Sequence, residues 1–171
     1  AFVFGNAAIT AGTLGCILWH ETGHLLALLL LHVPPQALKM TVFGLELAAD
    51  PRTSHREDAL VSLAGPAANL LASALLFFTP WKSAAKLNLL LGSFHLLPID
   101  PLDGGQILQH LLSLRLQQKS VRRICTAVSL CFLFPMVTAG FWLLFQRTPN
   151  ITLFLLCLYL LFYLVFGGAK T

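Results

Sequence analysis

The sequence predicts an all-α polytopic membrane protein, and three observations carry that expectation. Hydrophobic residues make up 57% and charged residues 11% of the 171, against about 45–50% and about 25% in ordinary soluble domains. Apolar segments recur at close to the roughly 20 residues that a helix needs to cross a bilayer. One of these segments is interrupted by prolines, glycines and carboxylates, which a lipid-facing helix does not tolerate. The expected architecture is a three-helix core followed by about two further transmembrane helices, with a short β-hairpin at the membrane edge. The core takes residues 1–113 and the later helices residues 114–171.

Five apolar segments are drawn over residues 3–31, 59–79, 84–113, 124–145 and 150–166. The third is broken by Pro98-Ile99-Asp100-Pro101-Leu102-Asp103-Gly104-Gly105, which cannot continue a regular helix. Irregular backbone at membrane depth survives only where protein or a water-filled cavity surrounds it. The break therefore points to an internal polar site. Between the first two segments, Leu38, Met40 and Val42 alternate with Lys39, Thr41 and Phe43. That period of two predicts a hairpin or lid over about 36–49, either a simple cover or an exposed edge for an extended substrate.

Charge sets the orientation. If the segments alternate in direction, one side carries Lys39, Arg52, Arg56, Arg115, Lys119, Arg122, Arg123 and Lys170, and the other only Lys82, Lys86 and Arg147. The positive-inside rule puts the richer side in the cytoplasm. The formal net charge of +4 builds no basic stripe, so nucleic acid is not an expected partner. Ala1 already lies in an apolar run without the basic n-region of a signal peptide, so an earlier segment stays open as an expectation. The run-out at Thr171 leaves no length for a soluble regulatory domain, and activity is expected from the membrane core. Cys16, Cys125, Cys131 and Cys157 lie in apolar stretches without CxxC spacing and are expected as small buried hydrophobes.

The chemistry begins with His20-Glu21-Thr22-Gly23-His24, an HExxH motif inside the first apolar segment. On a helix the histidines stack one turn apart and can grip a single metal ion. Glu21 projects beside that ion, where a base for an activated water is needed. Ionisable groups within a span face the protein interior and mark function by default. Catalytic zinc takes three protein ligands and keeps one position open. Asp103 is the chosen third ligand, with Asp100 and His95 as reserves. It follows Pro101-Leu102 and precedes Gly104-Gly105, where a sharp turn aims a carboxylate inward. Its alternative is a turn or helix-capping residue. Cys16 shares the face of His20 and is a weaker candidate thiolate. His32 and His55 are expected as polar loop residues.

In the second segment, Ala64-Gly65-Pro66-Ala67-Ala68-Asn69 combines small residues, which allow close helix packing, with one amide. Asn69 either bonds across helices or holds substrate backbone. His95 is a core histidine, a ligand or a donor to substrate.

HETGH at 20–24, Gly65-Pro-Ala-Ala-Asn69 and Leu97-Pro-Ile-Asp-Pro-Leu-Asp-Gly-Gly105 resemble, in this order, the motifs of the site-2 proteases, the intramembrane zinc metalloproteases. The resemblance covers about residues 10–113 and is nearest to the compact bacterial subgroup containing the sporulation protease that releases a pro-sigma factor. It implies His20, His24 and Asp103 as zinc ligands, Glu21 as base and a site facing the cytoplasm of a bacterial membrane. It also implies transmembrane or membrane-associated substrates such as pro-sigma or anti-sigma factors. Where the family commonly has Asn before Leu-Leu-Pro, this chain has His95. If that Asn orients substrate or the oxyanion, His95 takes over as donor or activity is altered. The alternative function is a non-proteolytic metal-binding protein or transporter. Transport calls for ionisable residues along a route or repeat-related broken helices. Segments 124–145 and 150–166 contain no acidic or histidine residues.

Overall fold

The computed structural model describes residues 7–32, 38–41, 44–47, 54–146 and 151–166. Six helices are found among them: α1 (Ala7–Leu30), α2 (His55–Phe77), α3 (Lys82–His95), α4 (Asp103–Ser113), α5 (Gln118–Leu144) and α6 (Ile151–Phe166). They fall into two compact units, residues 1–96 and 97–171.

This corrects the expected fold of five spans with a hairpin at the membrane edge. Among the described residues only Thr10–Leu30, His55–Phe77 and Gln118–Leu144 are long and apolar enough to cross a membrane. The segment drawn over 84–113 is two helices of 14 and 11 residues. Each falls short of the roughly 20 residues a span requires. The physical reason is Pro98 and Pro101, which each remove a backbone donor; the Asp100–Pro101 peptide is cis. The apolar α6 has 16 residues and is also short. The described residues give no support for a hairpin at a membrane edge. Its described part is two four-residue strands, β1 (Leu38–Thr41) and β2 (Gly44–Leu47), with Leu38 opposite Leu47. The rest of the stretch over 36–49 lies outside the described residues.

In the first unit α1, α2 and α3 pack on one another. Among the described side chains of α1 the buried ones are Cys16, His20, His24 and Leu28, a strict four-residue step along one face. Leu18, Leu26 and Leu29 stand exposed, Leu29 at 73%. Polar groups inside and leucines outside is the inverse of a water-soluble helix and suits a lipid surround. The same inversion holds in α2, where Ser62, Gly65, Asn69 and Ser73 are buried while Leu71 and Leu75 are exposed.

Close approach makes this interior. A Cβ on Gly23 would lie 2.7 Å from the Ala64 carbonyl oxygen and 2.8 Å from the Ala68 Cβ. One on Gly92 of α3 would lie 3.1 Å from the Pro66 carbonyl oxygen. With the backbones so near, polar groups reach across. Trp19 Nε1 donates to the Ala68 carbonyl (3.0 Å), Ser73 Oγ to the Ala85 carbonyl (2.8 Å) and Asn88 Nδ2 to Cys16 Sγ (3.1 Å). Cys16 is thus an acceptor for a neighbouring amide.

α2 starts earlier than hydropathy alone indicates. Ser54 and Glu57 form a capping box, the Ser54 amide donating to Glu57 Oε2 at 3.0 Å and the Arg56 amide to Ser54 Oγ at 3.4 Å. His55 consequently lies in the first turn of a helix and not in a loop. His32, with φ of 55°, closes α1 in the left-handed region.

In the second unit α4 packs on α5, and α5 on α6. Gly140 admits α6, since a Cβ there would meet Phe154 Cα at 3.3 Å. Cys125 and Cys157 are buried in this unit, but Cys131 is exposed, contrary to the expectation that all four cysteines are interior.

Candidate active site

The regular geometry of α1 brings His20 and His24 together. Their Nε2 atoms lie 3.1 Å apart and both side chains are buried, His20 to 2% exposure. His24 Nδ1 is 2.8 Å from the Val61 carbonyl oxygen of α2. A carbonyl only accepts, so Nδ1 carries the proton and Nε2 of the neutral ring presents its lone pair. Gly65 makes room for this pair. A Cβ on it would strike His24 Nε2 and come within 2.8 Å of His20 Nε2.

Glu21 follows His20 on the helix, and its Oε2 is shielded and accepts no hydrogen bond. A carboxylate oxygen left so is held at a cost unless it has work to do with water or a cation. On the other side of His20 stand two further side chains. Asn69 of α2, fully buried, has Nδ2 3.4 Å from His20 Nδ1. The His95 ring, at the end of α3, has its centroid 4.3 Å from that of His20, tilted by 57°. The first unit therefore gathers His20, His24, Asn69 and His95 in one place, with Glu21 next to His20 along α1.

Asp100 and Asp103 belong to the second unit. Leu102 is the cap of α4 and Asp103 its first helical residue, so Asp103 is not the capping side chain. A carboxylate there is favoured by the helix dipole. The turn before it is rigidly built. The Ile99 amide donates to the Leu97 carbonyl (2.8 Å), the Leu102 amide to the Ile99 carbonyl (2.7 Å), and Ile99 and Leu102 are almost wholly buried. The Asp100 amide donates to Ser129 Oγ of α5 at 3.0 Å. Gly105 is required by proximity, because a Cβ there would lie 2.6 Å from the Ile99 carbonyl carbon and oxygen.

Residues 76–136 match the model of peptidase family M50. Among solved structures, the chain is similar to the site-2 protease from Methanocaldococcus jannaschii, with 21% identity and a TM-score of 0.70 over 93% of this chain and 76% of that one. At that identity the likeness is one of fold. The chain is thus similar to family M50 over about a third of its length and to a site-2 protease in fold. None of the curated proteins matches it. Both matches agree with the resemblance to the intramembrane zinc metalloproteases carried by the sequence motifs.

The donor chemistry of the first unit fits that metal. Two convergent imidazole nitrogens, a cradle that any Cβ would fill and a shielded carboxylate oxygen without a partner suit zinc and an activated water. Two contributors escaped the sequence. The Val61 carbonyl carries no residue-type signal, and Gly65 reads in the sequence as a helix-packing residue.

Proposed function

We propose that this protein is an intramembrane metalloprotease of the site-2 type that cleaves peptide bonds of transmembrane or membrane-associated regulatory proteins, with His20, His24 and Asp103 as zinc ligands and Glu21 as general base. The observation that carries the proposal is the 3.1 Å convergence of two buried Nε2 atoms on a helix whose opposite face is leucine. Two neutral imidazoles and one carboxylate leave a divalent ion with little net charge once an anion joins them, which lessens the cost of burying it. Bound zinc supplies Lewis acidity, lowering the pKa of a water to about 7 and polarising the substrate carbonyl.

The remaining steps belong to the protein. Glu21 takes the proton of the attacking water and returns it to the leaving amine, so its unpartnered Oε2 is the relevant atom. His95, against the face of His20, is assigned as a donor to substrate or to the developing oxyanion. The site opens toward the cytoplasm of a bacterial membrane, the side richer in Lys and Arg. Pro-sigma and anti-sigma factors are the substrate class that fits the family resemblance.

The test is Glu21→Gln, which removes the base and keeps the shape. Cleavage of a membrane substrate in proteoliposomes should fall by about 10²- to 10⁴-fold while zinc content and fold persist. Undiminished cleavage would reject Glu21 as base. Zinc flux across the vesicle without proteolysis would instead make the protein a transporter.

A further inference from the structure

We infer that Asn69 is a positioning residue for His20: its amide oxygen sets the tautomer in which that histidine can hold a metal. The inference rests on the metalloprotease reading above and deepens it. Asn69 is 0% exposed, and a polar group so placed must find its partners within the protein. Its Oδ1 has no hydrogen-bond partner, while its Nδ2 lies 3.4 Å from His20 Nδ1.

In that orientation the amide donates to Nδ1. The proton of the neutral His20 ring then sits on Nε2 and points at His24 Nε2, 3.1 Å away. His24 cannot reciprocate, because its own proton is held on Nδ1 by the Val61 carbonyl. The result is a closed Nε2–H···Nε2 hydrogen bond, and a ring nitrogen carrying a proton cannot bind a metal.

Turning the amide end for end reverses this. Oxygen and nitrogen of an asparagine are nearly equal in size, so the exchange needs no new space. Oδ1 then accepts from His20 Nδ1–H in place of the Nδ2 contact, and the ring proton passes from Nε2 to Nδ1 with no net gain or loss. Both histidines then present Nε2 lone pairs to the same space, an arrangement that two neutral rings 3.1 Å apart would resist without a cation between them. Metal binding and amide orientation are therefore coupled. A ligating histidine commonly donates its other ring nitrogen to an acceptor of this kind.

The surroundings fix both partners. His95 packs against the His20 ring. A Cβ on Gly92 would lie 3.2 Å from the Asn69 Cβ, so α3 packs closely against the base of this side chain. With its amide against a histidine ring in the interior, Asn69 acts through His20 and not on substrate.

Nitrogen-15 NMR of histidine-labelled full chain in lipid nanodiscs, with and without zinc at one pH, reads the tautomer directly. The expected result is His20 as Nε2–H without zinc and Nδ1–H with it. Asn69→Leu, close in shape but without an acceptor, should weaken zinc binding by about 10- to 100-fold, and Asn69→Asp should restore most of the loss. Zinc bound by the wild type with His20 coordinated through Nδ1, or equal zinc affinity in Asn69→Leu, would overturn the inference alone. Failure of wild type to perturb the His20 signals with zinc at all would overturn the metal site on which it rests.

Discussion

Helix α1 and the turn over residues 97–102 both present candidate metal-site side chains from the apolar part of the chain, and they do so by opposite means. In α1 nothing local is unusual: the helix is regular, and the four-residue step puts His20 and His24 on one face. What holds those side chains lies on other helices, namely the Val61 carbonyl, Gly65 and Asn69 of α2. The turn before Asp103 is the reverse. It is locally irregular, with a cis peptide and two prolines, and Gly105 of α4 leaves room for its backbone. Its support is largely its own backbone. A regular element takes its precision from its neighbours, whereas an irregular one carries its precision in sequence.

The contrast can be broken at its strongest point by Gly65→Leu. The new side chain would occupy the space of both imidazoles, so thermal unfolding in detergent should show a loss of about 3 kcal/mol or more, together with loss of zinc. Near-wild-type stability would mean that α1 and α2 part easily and that α1 does not depend on α2 for its geometry. Next in size is Asp103→Asn. Loss of a direct ligand should exceed the roughly 10- to 100-fold that supporting residues contribute to metal affinity, while Asp100→Asn should change it by less than about 10-fold. A competition titration with a zinc chelator ranks the two, and the opposite order would move the ligand to Asp100. The smallest effect is expected for Gly105→Ala, where one methyl against the Ile99 backbone should cost about 1–3 kcal/mol of stability. A neutral result would show the turn to be softer than its contacts suggest.

The same contrast explains what the sequence disclosed. HETGH was legible because helix periodicity converts spacing into a shared face, and the helix break was legible because proline chemistry is local. Six helices in place of five segments were not, since hydropathy does not register that α3 and α4 are each too short to span. The start of α2 at His55 was in fact written in Ser54 and Glu57, a capping box that an apolar window passes over. The early start of α5 at Gln118 is hidden likewise by Lys119, Arg122 and Arg123. No residue type announces that the Val61 carbonyl meets His24. That partnership depends on how closely two helices approach, a distance set jointly by Gly23 and Gly65.

The buried step of Cys16, His20, His24 and Leu28 also governs which changes of length the protein can survive. One residue added or removed between Cys16 and Leu28 turns everything beyond it by about 100° around the helix. That would swing one histidine toward lipid and bring a leucine inward. Point substitutions on the outer face of α1 leave this phase intact, so drift in side chains is cheap there while drift in register is not.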